Sequence, residues 1–570
     1  MRDLHRPPRA RENDQGSFKG TEGSGEPEGL DESEGPKKSG ESQGPDPYQV
    51  SDLLNQGGRK GKSLWVTVSL IILVCIIVFG CVCAFVINQS KAGRKRSGTE
   101  SSSSLSIGLQ LAPTNLDIRT QSGSTLDQLL IGNVYEGLVS RTSRNSVAPG
   151  LAKDWGKSAD GKTYTFHLNE NMHFSNGDRL DASDVAWSIQ TMMERKYQGS
   201  TLIRNFRSVK AAGPRTVVIN LSAPYSELLW QLSGRAGLVF DKQARYQPKT
   251  EAVGSGPYLV SSYKPGSAVT LTADPRYWGK NRPFLTTITI RYYADTNAGL
   301  NALKSGQVQV LAPVSDRLAD SLKKDSRFQV KVGNDTDKYV LAFNNKKAPF
   351  TDRRVRQAIR FGIDHQAIIR ARGGYDLALG GPITRFDPGY EDLTGLYPHD
   401  QAKAVQLMKE AGYDKDHPLT ISLEYANIYP SEIGDQLKSQ LAEIGVKLTV
   451  NRVDFNTWLA EVYQKHDYDL SLVDHNESHD FHQWSQADYY YGYDNPQVQK
   501  LYSQALAATT DAERDSRLAQ AARLVSQDAA ADWLFNYRVV TAWRQGVHGF
   551  PTDLNQVYMP LWRVTYQRQA

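Results

Sequence analysis

DGKTYTFHLNENMHFSNGDRLDASDVAWSI, residues 160–189, changes its hydrophobic period midway. In KTYTFHL apolar and polar side chains alternate, the two-residue period of a strand with one buried face. From Asp181 onward the apolar residues of DASDVAWSIQTMMER fall three and four apart, the stripe of an amphipathic helix. Asp181 or Ser183 stands where an N-cap oxygen is wanted. The same exchange recurs along the chain in both directions. SLSIGLQL, TVVINLS, TITIRYY, YVLAFN, LTISLEY and KLTVNRV carry strand patterns, whereas STLDQLLIGNVYEGLV, RRVRQAIRFGI and SEIGDQLKSQLAEIG carry helical ones. The alternation predicts an α/β protein, and no internal repeat at a period of roughly 20–50 residues is present.

At 570 residues the chain exceeds a single hydrophobic core, which stops growing near about 250–300 residues, so two or more lobes are expected. Its 67 basic and 62 acidic residues leave a net charge of +5. That excess is too small for a nucleic-acid footprint, and no basic stripe interleaved with aromatics accompanies it, so no nucleic-acid partner is expected. All three cysteines, Cys75, Cys81 and Cys83, lie in one apolar segment. The rest of the chain therefore has no disulfide, no thiolate nucleophile and no cysteine zinc site. VGSGPYLV lacks the G-K-[ST] ending of a phosphate loop and reads as a turn. Without a G-x-S-x-G elbow or an assignable His and acid, no catalytic constellation emerges, and neither an enzyme nor a cofactor is expected.

The cysteine-bearing segment, residues 64–87, reads LWVTVSLIILVCIIVFGCVCAFVI and has no charge between Lys62 and Lys91. As a helix it would be about 36 Å long, enough to cross a hydrocarbon core of roughly 30 Å. Basic residues flank it on both sides, so charge does not orient it. An alternative is a lipoprotein signal with Cys81 acylated. Against that, the apolar run continues past Cys81, Phe79 fits the processing motif poorly, and the preceding tail is long for such a signal. An uncleaved signal anchor is the preferred assignment. Residues 1–62, rich in Gly, Ser, Glu, Pro and Lys, are expected to form a disordered cytoplasmic tail. Residues 88–104 are expected to be a flexible linker, with the folded part starting at Leu105 on the extracytoplasmic side.

Several segments stand in a familiar order: NVYEGLV (133–139), APGLAKDW (148–155), the stretch 160–189, VGSGPYLV (253–260), DPRYWGKNRP (274–283), YVLAFNNKKAPFTDRRVRQAIRFGID (339–364) and AGYDKDHPLTISL (411–423). From Leu105 to its end the chain resembles the extracytoplasmic solute-binding proteins of family 5, the oligopeptide- and dipeptide-binding components of ABC transporters. The resemblance implies a two-lobed, periplasmic-binding-protein-like clamp. Its first lobe would be residues 105–340 with an extra subdomain, completed by 536–570, and its second lobe residues 345–535. YVLAFN and LFNYRV would be the crossovers. It also implies a peptide ligand, delivery to an ABC permease with a separate ATPase, and no resident metal.

DYDLSLVDHNESHDFHQW (467–484) matches the family's most informative region and places Asp474 at the acidic position that pairs with a ligand's α-amino group. A buried ammonium needs such a carboxylate. By the same resemblance the backbone of Leu470 and Leu472 would hydrogen-bond the peptide main chain, and the segment around Thr125 would do so from the other lobe. Trp484 and the run Tyr489 to Tyr491 either line side-chain pockets or pack in a core. His475, His479 and His482 lie near Glu477 and Asp480, but H-N-E-S-H is not the H-E-x-x-H of metalloproteases. A nickel chelate or another non-peptide solute remains an alternative ligand, and a ligand-sensing receptor of the same fold an alternative function. RRVRQAIR, beginning after an Asp352 cap, reads as a solvated helix face.

Overall fold

The computed structural model describes residues 100–568. The expected tail (1–62), membrane span (64–87) and most of the linker (88–104) lie outside the described residues. Among the described residues no helix is long and apolar enough to cross a membrane. The folded part begins ahead of the expected Leu105, because Glu100–Ser102 already pairs antiparallel with Thr565–Arg568.

The opening stretch folds as its periods predict. Thr163–Leu168 is an inner strand of a four-stranded antiparallel sheet, flanked by Ala152–Lys157 and Thr216–Leu221. Its alternate residues Tyr164, Phe166 and Leu168 point inward and are buried. Helix Ala182–Arg195 covers that face with Val185 and Ile189. Asp181, not Ser183, is the cap: its carboxylate accepts from Ser183 N at 2.7 Å, while its own N–H donates to Asp184 at 3.0 Å. Each large apolar side chain buried here contributes about 1.5–3 kcal/mol.

Beside this layer lies a seven-stranded sheet in the order Phe328–Val332, Val540–Arg544, Val310–Ala312, Ser104–Leu109, Thr287–Tyr292, Ala268–Ala273, Tyr258–Lys264. A separate five-stranded sheet runs Val446–Val453, Leu419–Ala426, Leu470–His475, Lys338–Phe343, Ala531–Asn536. Its strand Lys338–Phe343 is buried on both faces, with Leu341 and Phe343 in one apolar cluster and Val340 and Ala342 in the other. That explains why YVLAF is a continuous apolar run. All strands of the five-stranded sheet come from one unbroken stretch. The chain enters it through residues 333–337 and leaves it through 537–539.

Two sequence expectations change. The helix foreseen across STLDQLLIGNVYEGLV stops after Ser124–Leu130. Gly132 adopts φ +75°, which helices do not tolerate, and the buried Asn133 side chain bonds outward instead. Its Nδ2 donates to Leu129 O at 3.1 Å and Met559 O at 2.9 Å, and its Oδ1 accepts from Leu561 N at 2.9 Å. Helix Arg353–Gly362 does begin at the Asp352 cap, and Arg353 and Arg354 are exposed as expected, but Arg356 and Arg360 are buried, at 8% and 2% exposed. Arg356 Nε donates to Ala529 O at 3.0 Å, and Arg360 bonds Ser526 O at 2.9 Å and Asp532 Oδ1 at 3.1 Å. These guanidinium groups meet the carbonyl end of helix Asp511–Gln527, where positive charge is favoured.

Candidate functional site

The passages 333–337 and 537–539 are stitched together where the two sheets meet. Asn536 Nδ2 donates to Asp335 O at 3.0 Å and Asp337 O at 2.7 Å, Tyr537 N donates to Asp337 O at 3.0 Å, and Arg538 Nε donates to Gly333 O at 3.1 Å. A β-carbon on Gly333 would fall 1.7 Å from Thr552 O, so only glycine permits this approach. Side chains brought to this crossing are fixed by backbone on both sides.

Acid gathers there. Asp335 and Asp337 are each 1% exposed, and Asp474 reaches the same place from the end of Leu470–His475, opposite Tyr339. Asp335 Oδ1 accepts from Thr336 N at 2.9 Å and Asp337 Oδ2 from Gln556 Nε2 at 2.8 Å. Asp335 Oδ2, Asp337 Oδ1 and Asp474 Oδ1 are inaccessible to solvent and have no hydrogen-bond partner among the described residues. Burial, and for Asp474 the nearby Asp335, pushes Asp335 and Asp474 up to about 7. Burial and the charges of Asp335 and Asp474 push Asp337 well above the usual carboxylate range. The neighbouring cations are already engaged: Lys338, 2% exposed, meets Asp480 at 3.0 Å, and Arg372 meets Asp376 at 2.7 Å. Tyr339, Tyr429 and Tyr537 surround the acids, with Asp474 N donating to the Tyr429 hydroxyl at 3.3 Å. An apolar ring wall and uncompensated carboxylates suit a desolvated cation.

Of the residues singled out from sequence, Asp474 stands in this cluster and the others do not. Leu470 and Leu472 lie in an inner strand, paired to Leu423 and Tyr425 on one side and to Phe343 and Leu341 on the other. Their backbone groups are taken by the sheet, which corrects the expectation that they receive a peptide. Pairing to Leu419–Ala426 ends at Leu472, so backbone without a strand on that side begins at Val473. Thr125 occupies the first turn of Ser124–Leu130, half-buried. Trp484 is 2% exposed and stacked on Tyr491 at 4.4 Å, so it and Tyr490 and Tyr491 are core.

Two of the three histidines have partners of their own. His475 is bonded by the Tyr491 hydroxyl, and burial holds it neutral, down at about 3. His479 pairs with Glu227. Among the described residues no group of three or more His, Cys, Asp or Glu is arranged to hold a metal ion.

Contacts reach across from the first sheet system to the second. Asn145, at the tip of the hairpin Val139–Arg141 and Val147–Pro149, donates to Ser478 Oγ at 2.8 Å, Asp387 Oδ1 at 3.1 Å and Phe386 O at 3.2 Å. His479 stacks on Trp230 at 4.0 Å, and the Arg141 guanidinium covers the Trp230 ring at 3.8 Å. Arg141 Nε is buried without a partner among the described residues, and burial lowers its pKa to about 10. A groove of about 580 Å³ adjoins, lined by Glu136, Tyr277, Trp278, Lys280, Tyr558 and Trp562. Glu136 accepts there from Tyr277 at 2.8 Å, Ser255 at 2.9 Å and Trp278 at 3.0 Å.

Asp335, Asp337 and Arg141 were not found by reading the sequence. N-D-T-D-K ahead of an apolar strand was the available signal, two acids at the mouth of a fully buried strand.

Comparison with known proteins identifies the family. The model for "Bacterial extracellular solute-binding proteins, family 5 Middle" matches residues 146–497. The glutathione-binding protein GsiB of Pectobacterium atrosepticum is 26% identical over 460 residues, 75% of this chain and 88% of that protein. Among solved structures, the binding protein DppA of Helicobacter pylori in complex with the peptide STSA superposes with TM-score 0.69 at 19% identity, covering 82% of this chain and 99% of that one. NikA of Staphylococcus aureus in complex with Ni(L-His)2 gives 0.68 at 21% identity, over 81% and 99%.

Proposed function

Since the chain belongs to the bacterial extracellular solute-binding proteins of family 5, we propose that it captures a short peptide by its free amino end between two lobes and delivers it to an ABC permease driven by a separate ATPase. The lobes would divide at the crossings, residues 105–340 with 536–570 against 345–535. The observation that carries the proposal is the set of buried carboxylates at those crossings with unpaired oxygens, beside which Lys338 and Arg372 are already held by Asp480 and Asp376. A peptide ammonium supplies the missing charge, and Asp474 is its proposed partner. Backbone from Val473 onward, free of a strand on one side, would accept the first residues of the extended peptide. Arg141, across the interface with its unpaired Nε, is the proposed partner for the carboxylate end.

Charge argues against carrying over the relatives' ligands. Glutathione bears two carboxylates for one ammonium and would meet an acidic crossing. Two of the three histidines near the site, His475 and His479, are committed to Tyr491 and Glu227. The proposal includes anchoring through the span 64–87, with the binding part outside the cell. Mass spectrometry of the ligand co-purifying with the full-length chain tests the reading: a short peptide with a free amino terminus is expected, and a metal chelate or an anionic solute overturns it. The mass of the mature protein separates an intact anchor from one cleaved and acylated at Cys81.

A further inference from the structure

We infer that the first lobe rests on an anionic lipid surface by the end at which the chain enters it, so that the crossing between the lobes faces away from the membrane. The inference rests on the anchoring through the span 64–87 proposed above and adds what the anchored lobe touches. The chain enters this lobe at Glu100–Ser102, and the twelve residues 88–99 that separate it from the span reach at most about 40 Å. Glu100–Ser102 pairs with Thr565–Arg568, and Ser103 O accepts from Thr286 N at 2.8 Å. These contacts lie at the end of the seven-stranded sheet that holds Ser104, Thr287 and Arg544. The crossing lies at the other end, because Phe328 pairs with Arg544 whereas Val332 pairs with Val540, the first residue after the passage 537–539. A six-residue strand such as Ser104–Leu109 sets the two ends about 20 Å apart.

What this end displays suits a bilayer. Phe284 is 66% exposed, and its N–H donates to Trp562 O at 3.3 Å. Trp562 and Tyr566 are half-buried beside it. Lys280, Arg282 and Arg563 are exposed around these rings, the Arg563 guanidinium lying over Trp562 at 4.3 Å. Lys304, exposed, stands on the same edge, where Arg544 bonds its carbonyl at 3.1 Å. Positions 275–294 and 555–570 contain no acidic residue. The acids that come near from other segments do not cancel the charge. Glu100 stands opposite Arg568, Asp325 meets Arg327 at 2.6 Å, Glu170 pairs with Arg215, and Asp274 is buried. Aromatic rings ringed by lysine and arginine heads fit the interfacial zone of a membrane, and the uncancelled positive charge fits anionic headgroups over neutral ones. Held there, the lobe turns its crossing toward the medium from which a solute arrives.

The test uses the full-length chain in lipid nanodiscs, with the photoreactive residue p-benzoylphenylalanine in place of Phe284. Leu111, equally exposed at 66% but two residues beyond the other end of Ser104–Leu109, is the control position. Lipid adducts formed on irradiation are read by mass spectrometry. In discs of phosphatidylcholine mixed with phosphatidylglycerol, position 284 is expected to give at least about fivefold more adduct than position 111. Lys280→Glu, Arg282→Glu and Arg563→Glu together should bring the yield at 284 down toward that of the control, and so should high salt. A yield at 284 no greater than at 111, or an equal yield at 284 in pure phosphatidylcholine, overturns the inference and leaves the anchor standing. A crosslinked dimer in place of lipid adducts overturns it in favour of a second copy of the chain. A chain that elutes apart from the discs has no anchor, and the inference falls with that reading.

Discussion

Asp474→Asn keeps the shape of the side chain and deletes its charge. If Asp474 meets the ligand's ammonium, free-amino peptides should bind about 2–4 kcal/mol more weakly, the scale of a buried charge left unpaired. Calorimetry with an N-acetylated peptide checks the assignment, since wild-type protein that binds it as well as the free peptide has no ammonium site. Ligand capture and fold stability should respond to pH with opposite signs. Asp335 and Asp474, at about 7 through burial, must be ionised to meet a cation, so affinity should fall as pH drops below about 7. Without ligand, these raised groups hold protons between about pH 4 and 7 that the unfolded chain has released. Stability therefore declines as pH rises through that window. Glu136, also at about 7 through burial, adds in the same direction. The melting temperature of the ligand-free protein should rise from pH 8 to pH 5.5, and by less in Asp335→Asn; an equal rise in both would place the proton uptake elsewhere. Asp474 was legible because a recognisable motif surrounds it. Asp335 and Asp337 were not, since N-D-T-D-K looks like any polar turn until the returning strand encloses it.

Hairpin and helix ends repeat the lesson at the next scale. Period told strand from helix wherever one face met water, as in Thr163–Leu168 and Ala182–Arg195. It failed where a distant segment supplied the partner. Asn133 ends its helix by bonding residues 559 and 561, and Arg356 and Arg360 are buried by the end of another helix. Trp484 could equally have faced a ligand, and the element that decides is Tyr491, stacked on it at 15°. Trp484→Ala should cost about 3–5 kcal/mol of stability, read by denaturant unfolding, with ligand affinity in the folded fraction unchanged. The Asn145 tip is a different matter, because it joins the lobes without shaping either. It sits at φ 62°, so Asn145→Gly keeps the turn while removing the amide's bonds to Ser478, Asp387 and Phe386. Small-angle scattering of the ligand-free variant should show a larger radius of gyration than the wild type. An unchanged radius would mean the hairpin does not hold the lobes together.

For the molecule as a whole, sequence predicted two or more lobes from length and α/β content from period, but strand order was beyond it. Neighbours in the seven-stranded sheet such as Val310–Ala312 and Val540–Arg544 are far apart in the chain, and no local pattern records such pairing. The five-stranded sheet, in contrast, is built from a single uninterrupted stretch between Lys338 and Asn536. Consider what this insertion means while the chain is being made. Residues 338–536 can complete their own sheet as soon as they emerge, whereas the sheet begun by Ser104–Leu109 must wait for Val540–Arg544 to fill the gap beside Phe328–Val332. The lobe that starts first is the one that finishes last. A chain halted after residue 536 should therefore protect its later half from protease while its earlier sheet remains open to cleavage. Any factor that shields nascent strands would act on the first lobe, through the whole time the second takes to be synthesised.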